Sequence, residues 1–169
     1  MPNKKLTLKQ LDFEKYSESV LNLFLDSKEF FLDFENSEPN LSLVEKTFFS
    51  CPDGISLENK IVVGCFCDNE LLGFAELIKD RHREKEWQLG IILVSKKIRK
   101  TVLGGRVILT IFDYIKNSGA TCVVGGVVEN NQVAKSFWKS IGAIETDIVY
   151  NQEVNGKSIP TRAVYKELL

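Results

Sequence analysis

The chain has 169 residues, of which 44% are hydrophobic and 27% charged, a balance typical of a globular domain and not of a disordered or fibrous chain. Its 22 basic and 23 acidic side chains give a net charge of −1, so charge gives no reason to expect nucleic acid or an anionic membrane as a partner. We expect one domain over residues 1–169.

The first half of the chain is predicted to form a strand, two helices and three further strands. Residues 5–11 resemble a strand, residues 13–34 carry apolar side chains at helical spacing, and residues 42–49 form a second helix after Pro39. The period then changes to two, which predicts strands at residues 61–67, 71–79 and 87–94. A turn at residues 68–70 joins the first two of these, as in an antiparallel meander.

The second half is predicted to alternate helices and strands. A helix at residues 103–117 ends at Gly119, a strand covers residues 121–128, and a helix at residues 131–141 ends at Gly142. Strands at residues 144–153 and 158–168 are joined by a turn at Asn155 and Gly156. The order β-α-α-β-β-β-α-β-α-β-β predicts an α+β fold with a mixed, mostly antiparallel central sheet flanked by helices. The strands at 87–94 and 121–128 should be parallel.

No targeting, membrane or metal signal is found. Residues 1–5 are followed by no apolar stretch, and no run of about 18 apolar residues occurs, so we expect a cytoplasmic protein. His82 is the single histidine, so a metal site is not expected. Buried free thiols are expected at the four cysteines, Cys51, Cys65, Cys67 and Cys122.

A basic stretch follows the third meander strand. Residues 94–106 contain five basic side chains and no acid, with Gly104 and Gly105 at the start of the next helix. Unpaired N–H groups at a helix N-terminus bind phosphate where no side chain blocks the approach, and two glycines would remove that block. The stretch is therefore a candidate phosphate site, with an ordinary solvated turn as the alternative.

This stretch, the strand order and a later segment resemble the GNAT (GCN5-related N-acetyltransferase) superfamily. Residues 131–143 are similar to the family's second signature, which has an Asn, an Ala three residues on, a pair of aromatics and a Gly that ends the helix. The first signature, Arg/Gln-x-x-Gly-x-Gly/Ala, matches at Arg99 and Gly104, whereas Val102 stands where the first glycine is usual. The resemblance covers residues 61–169 by motif and the first 60 residues by element order.

The resemblance implies transfer of an acetyl group from acetyl-CoA to a primary amine by direct attack, without a metal. The helix-start amides would hold the CoA pyrophosphate, and the pantetheine would pair like an added strand in a splay between two strands. The Leu93 amide would polarise the thioester carbonyl. The residues expected to bind the cosubstrate are Leu93, Val94, Arg99, Lys100, Thr101, Val102, Leu103, Gly104, Gly105, Asn131, Phe137 and Trp138.

The general acid departs from the family pattern. Trp138 stands where the family commonly has a tyrosine, and an indole has no proton to give. Tyr150, Tyr114, Tyr165 or water would then have to protonate the departing thiolate.

The general base also departs from the pattern. Gln88 stands where some members have a carboxylate, and it could only orient a water or the amine. Glu86 on the same strand face, or Glu76 on the neighbouring strand, could accept the proton, with a solvent-facing charge as the alternative for both. The expected catalytic residues are Leu93, Glu86, Gln88 and Tyr150.

An acidic region near the N-terminus favours a small cationic amine, such as a polyamine-like or aminoglycoside-like molecule, over a protein as acceptor, although an amino acid derivative, a protein N-terminus or a lysine would also fit. Between residues 18 and 45 there are seven acids and one base, Lys28, although a solvated helix face explains the same pattern. The acids are Glu18, Asp26, Glu29, Asp33, Glu35, Glu38 and Glu45. The expected partners are acetyl-CoA and the amine, with a homodimer left open and neither nucleic acid nor membrane expected.

Two other function classes stay open. A non-catalytic acyl-CoA-binding sensor would keep the basic loop and lack the acid, as Trp138 indicates. A structural interaction domain would explain the fold and leave the basic loop without a role. Binding of CoA without turnover would identify the sensor, and absence of CoA binding would favour the interaction domain.

Overall fold

A computed structural model describes residues 4–169. Met1 to Asn3 lie outside the described residues, and they belong to the N-terminal stretch where no signal peptide is expected. The elements are β1 (Leu6–Gln10), α1 (Phe13–Asp26), α2 (Lys28–Phe34), α3 (Leu41–Phe49), β2 (Lys60–Cys67), β3 (Glu70–Ile78), β4 (Glu86–Val94), α4 (Val102–Asn117), β5 (Cys122–Val128), α5 (Gln132–Ser140), β6 (Ile144–Val154) and β7 (Lys157–Glu167).

In residues 4–169 the strands form one seven-stranded sheet in the order β1-β2-β3-β4-β5-β7-β6. All neighbours are antiparallel except β4 and β5, which are parallel because α4 returns the chain across the sheet between them. The predicted α+β fold with a mixed, mostly antiparallel sheet is confirmed.

The parallel pair is short, and the sheet opens beyond it. Strands β4 and β5 pair only where residues 86–88 face residues 122–124. Directly afterwards β4 carries a bulge at Gly90, since Leu77 lies opposite Leu89 while Glu76 lies opposite Ile91. A bulge bends its strand, so the second half of β4 stays with β3 while β5 continues along β7. The two strands therefore separate over residues 91–94 and 125–128.

Each face of the sheet has its own core. One face packs on α4 and α5 and includes Trp87, Ile111 and Trp138, and we call it the α4 face. The opposite face packs on α1, α2 and α3 around Phe24 and Phe74, and we call it the α1 face. Burial of such side chains stabilises the fold by about 1.5–3 kcal/mol each.

The helix predicted over residues 13–34 is interrupted, which adds a third helix before β2. The break at Ser27 lies in a long-range contact: the Arg99 guanidinium donates to the Ser27 hydroxyl at 2.6 Å, and the Lys96 N–H donates to the Asp26 carboxylate at 2.6 Å. Ser27 is only 1% exposed. The end of α1 is thus fixed to the loop after β4, a contact that helical periodicity cannot reveal.

The thiols are free, and three of the four are buried, as expected; Cys51 is half-buried. In the part of the chain that the structure describes, no helix is long and apolar enough to cross a membrane. Among the same residues no group of three or more His, Cys, Asp and Glu side chains is placed to hold a metal ion.

Candidate active site

The start of α4 presents free backbone donors. Thr101 caps the helix, and its Oγ1 accepts the Gly104 N–H at 3.2 Å. No described residue accepts a hydrogen bond from the N–H of Val102 or Leu103. These two amides, at the positive end of a 16-residue helix, form the part of the loop best suited to an anion.

The two glycines of this helix start differ in role, which corrects the expectation that both clear space for phosphate. A Cβ on Gly104 would lie 2.3 Å from the Ile98 carbonyl oxygen, so Gly104 is required by the close approach of the helix to its own loop. A Cβ on Gly105 would meet nothing within 4 Å. Gly105 is therefore the position where a substitution acts on a ligand and not on the loop.

The Arg99 side chain is engaged within the protein. Its Nε donates to the Val94 carbonyl at 2.9 Å and its Nη2 donates to Ser27. Arg99 thus holds the loop between β4 and the end of α1, a different use from the phosphate contact that the signature implies. Lys100 next to it is exposed and adopts a left-handed backbone conformation with φ 59°.

The amide of Leu93, expected as the oxyanion donor, points away from the separated strands. Ser95 donates its N–H to the Leu72 carbonyl on β3 at 2.8 Å. Hydrogen-bonded residues recur at every second position of an antiparallel ladder, so Leu93 also directs its N–H at β3.

The residues on either side of Leu93 face the opening. The Val94 carbonyl is turned from β3, because it accepts the Arg99 Nε. By the same alternation, Ile92 and Val94 direct their N–H groups toward the separation from β5. Of these three residues, Ile92 and Val94 are therefore the ones whose N–H groups can donate to a group in the opening, and Leu93 is not.

The second signature lies at the other side of the opening. Asn131 is buried, and its Oδ1 caps α5 by accepting the Ala134 N–H at 3.0 Å, which leaves Nδ2 as the group that can donate to a ligand. Trp138 is 5% exposed and packs on β5 at Gly125, where a Cβ would lie 2.7 Å from the indole ring. Phe137 packs edge-on against Trp138. Both aromatics therefore serve the α4-face core.

Tyr150 is the tyrosine placed beside the opening. A Cβ on Gly126 would lie 2.5 Å from the Tyr150 hydroxyl, on the α1 face of β5 and just past its contact with β4. Burial raises the pKa of Tyr150, and nearby Arg81 opposes the rise, so the phenol stays protonated near neutral pH. Tyr114 lies on α4 against the other core, and Tyr165 lies beside Cys122 at the paired end of β4 and β5.

Gln88 and Glu86 are both bonded to cations of the loop between β3 and β4. The Arg81 Nε donates to the Gln88 Oε1 at 2.7 Å. Glu86 lies 2.6 Å from His82 Nδ1 and accepts from Arg83 Nε at 3.1 Å. Glu86 is thus bonded to loop side chains and lies where β4 is still paired with β5. It is therefore poorly placed to accept a proton in the opening.

Two other carboxylates lie on the α1 face near the bulge. Glu76 pairs with Lys60, and its second oxygen lies 3.2 Å from where a Gly90 Cβ would be. Half-buried Glu35 follows α2, and its carbonyl accepts the Asn155 side chain at 2.9 Å. Burial and the charge of Glu76 raise the pKa of Glu35 to about 7.

The other acids of the N-terminal region do little to attract a cationic amine into this site. Asp26 binds the Lys96 amide, Glu29 pairs with Lys96, and Glu38 pairs with Lys28. Three more, Glu18, Asp33 and Glu45, are exposed. Glu35 is the one member whose pKa reflects burial next to another carboxylate.

Glu35 and Arg81 were not singled out by sequence reasoning. Glu35 is one of seven acids with no sequence feature to separate it from the rest, and Arg81 belongs to no motif in the sequence. Either residue could be identified from the sequence only with knowledge of which distant segments of the chain are in contact.

Comparisons with known proteins agree with this geometry. The sequence model of the Acetyltransferase (GNAT) family matches residues 18–143. No curated protein matches the chain. A probable acetyltransferase of the GNAT family from Chromobacterium violaceum superposes with TM-score 0.78 at 11% identity, over 98% of this chain and 84% of that one. An acetyltransferase from Thermus thermophilus superposes with TM-score 0.70 at 18% identity, over 97% of each chain. An acetyltransferase of the GNAT family from Streptococcus pneumoniae superposes with TM-score 0.62 at 15% identity, over 97% of this chain and all of that one. At these identities the structures show a shared fold.

The raised pKa of Glu35 predicts a pH-dependent stability. Because the folded-state pKa of about 7 exceeds the ordinary 4.5, the native protein holds this proton more tightly, and the free energy of unfolding should fall as pH rises through that window. Glu35→Gln should remove this fall, on the order of 1–2 kcal/mol between pH 4.5 and 8. Urea unfolding at both pH values measures it. Glu45→Gln, on exposed α3 surface, is the control, and an equal fall in the Glu35→Gln protein would contradict the assignment.

Proposed function

Because the chain belongs to the GNAT acetyltransferase family, we propose that it moves the acetyl group of acetyl-CoA to the nitrogen of a primary amine. The observation that carries the proposal is the separation of β4 from β5 immediately beside the free amides at the start of α4. A strand-like thioester arm fits an opening of this kind, since one backbone edge there is unpaired. The anionic end of the same molecule fits the helix start.

The residues of the opening match acetyl-CoA as cosubstrate. The amides of Val102 and Leu103 would hold the pyrophosphate, and exposed Lys100 adds positive charge with no acid within the loop. The edge of β4 at Ile92 and Val94 would pair with the pantetheine, and Asn131 Nδ2 would donate to it from the opposite wall.

The same edge provides electrophilic assistance. As the amine attacks, the thioester carbonyl oxygen gains negative charge, and a backbone N–H aimed at it is worth about 3 kcal/mol of barrier. Ile92 is the first residue after the bulge at Gly90 whose N–H faces the opening by the alternation along β4. A fixed backbone dipole needs no reorganisation during the reaction.

Proton transfers are assigned to side chains of the α1 face. The amine must lose a proton before it attacks, and Glu35, whose pKa is about 7, is suited to accept it near neutral pH. When the carbon–sulfur bond breaks, the departing thiolate takes a proton from the Tyr150 hydroxyl at Gly126. Gln88, bonded to Arg81, orients the acceptor and takes no proton.

A sensor without turnover is the second candidate, and one observation favours it. Trp138 occupies the family's tyrosine position as a buried core residue, so the usual acid is absent there. The two candidates are separated by following thiol release from acetyl-CoA over a panel of amines. Release with any amine supports the enzyme, and tight binding without release on the whole panel supports the sensor.

Gly105→Glu tests the phosphate site. The substitution adds a carboxylate in open space within the first turn of α4, where negative charge stabilises a helix, so the fold should be retained. The Kd of CoA measured by calorimetry should rise at least about tenfold, equivalent to about 1.4 kcal/mol. Gly105→Ala is the matched control, and its Kd should stay within about threefold of wild type. Unchanged affinity in the glutamate variant would place CoA elsewhere.

Tyr150→Phe tests the acid. Loss of the hydroxyl should lower kcat by about 10²-fold or more, the usual contribution of a positioned acid, while the Kd of acetyl-CoA stays the same. Tyr165→Phe, at the paired end of the same sheet face, should retain kcat within about threefold. A Tyr150→Phe enzyme with wild-type kcat would show that water or another group protonates the thiolate.

A further inference from the structure

We propose that the acceptor is a small amino carboxylate, a molecule of the α- or β-amino acid type, whose carboxylate binds Arg81 while its amine lies near Glu35 and Glu76. The inference rests on the proposed function and names the substrate class of that same site. It departs from the cationic amine that the acidic N-terminal region favours.

Arg81 has an unusual set of contacts for an arginine of this protein. Three others lie within 4.0 Å of a carboxylate, namely Arg83 at Glu86, Arg99 at Glu29 and Arg162 at Glu129. Within residues 4–169, the side-chain hydrogen bond of half-buried Arg81 goes to the neutral Gln88 amide and is made through Nε. The Nη1 and Nη2 groups stay available, and this planar pair of donors matches the two oxygens of a carboxylate.

The position of Arg81 places its guanidinium beside the opening, on the α1 face. Gln88, which holds the guanidinium, is the last residue of β4 that pairs with β5. Tyr150 is close enough for the Arg81 charge to act on its pKa, and its hydroxyl lies at Gly126 on the neighbouring strand. Arg81 thus borders the point where the thioester carbon would be attacked.

The other end of the site carries two carboxyl groups. Glu76 binds Lys60 through one oxygen and directs the second toward Gly90 at the bulge. The Lys60 ammonium, 3% exposed, also donates to the Ser50 carbonyl at 2.6 Å, and its charge is paired with Glu76, so it repels an incoming amine less than an unpaired charge would. Glu35 lies near Glu76 and adds a second carboxylate.

The two ends are spaced for a compact molecule. Gln88 lies opposite Ile78, and Glu76 is two residues from Ile78 on β3, so Gln88 and Glu76 are diagonal neighbours on one sheet face, about 7–8 Å apart. A molecule bound between side chains at diagonal neighbours spans only a few bonds, which suits the amine and carboxylate of an amino acid. A long polyamine would place a second cation against Arg81, and a protein N-terminus would place an uncharged amide there.

Matched acceptors test the inference. Each amino acid of a small panel is compared with its decarboxylated amine, which keeps the side chain and the reacting nitrogen. We expect kcat/KM to be at least about tenfold higher for the amino acid, and Arg81→Gln to reduce that ratio by about 10- to 100-fold, mainly through KM, as for loss of a charged hydrogen-bonded pair. Lys79→Gln, which removes the same charge from an exposed position two residues away, should keep the ratio.

A second variant guards against a folding defect. Arg81→Lys keeps the charge and loses the planar pair of donors, so its ratio should fall between those of wild type and Arg81→Gln. A wild-type enzyme that uses both members of each pair equally, or Arg81 variants that lower kcat/KM equally for both, would overturn the inference while leaving the acetyltransferase in place.

Direct binding covers the case in which no amine of the panel is acetylated. Amino acids are then titrated by calorimetry into the CoA-saturated protein and into its Arg81→Gln variant. Binding that the variant weakens at least about tenfold supports the inference, and no binding to wild type overturns it. Absence of CoA binding in the first place would instead speak against the proposed function.

Discussion

The departure of β4 from β5 creates the gap around which the candidate site is built. A parallel pair would ordinarily continue to the ends of both strands, which would close the sheet and leave no unpaired backbone edge. Here three residue pairs form, and the bulge at Gly90 then turns β4 away. The opening places the amides of Ile92 and Val94, the start of α4 and the polar side chains of the α1 face around one gap.

The loop after β4 connects the two sides of that gap. Arg99 bonds the Val94 carbonyl and the Ser27 hydroxyl, and the Lys96 amide bonds Asp26. The helices that cover the acceptor side are therefore fastened to the loop that begins α4. Because Ser27 is buried, loss of one partner would leave a desolvated polar group, which costs about 1–3 kcal/mol. The Arg99 guanidinium thus fixes the position of the loop relative to the end of α1.

The order of the elements along the chain and the start of α4 can be predicted well from the sequence, whereas the chemistry of the acceptor site is predicted poorly. Periodicity and turn residues suffice for β2 to β5 and for α4, because those signals are local. The break at Ser27, the orientation of the Leu93 amide and the pairing of Arg81 with Gln88 arise from contacts between distant segments. Glu35 is one acid among seven until burial beside Glu76 distinguishes it.

Whether the gap between β4 and β5 receives CoA can be measured from amide spectra of the ¹⁵N-labelled protein titrated with CoA. We predict that saturating CoA shifts the amides of Ile92 and Val94 on β4 and of Val102 and Leu103 on α4. The amides of residues 86–88, already paired with β5, should move little. Absence of binding, or binding that leaves those four amides unchanged, would contradict the account.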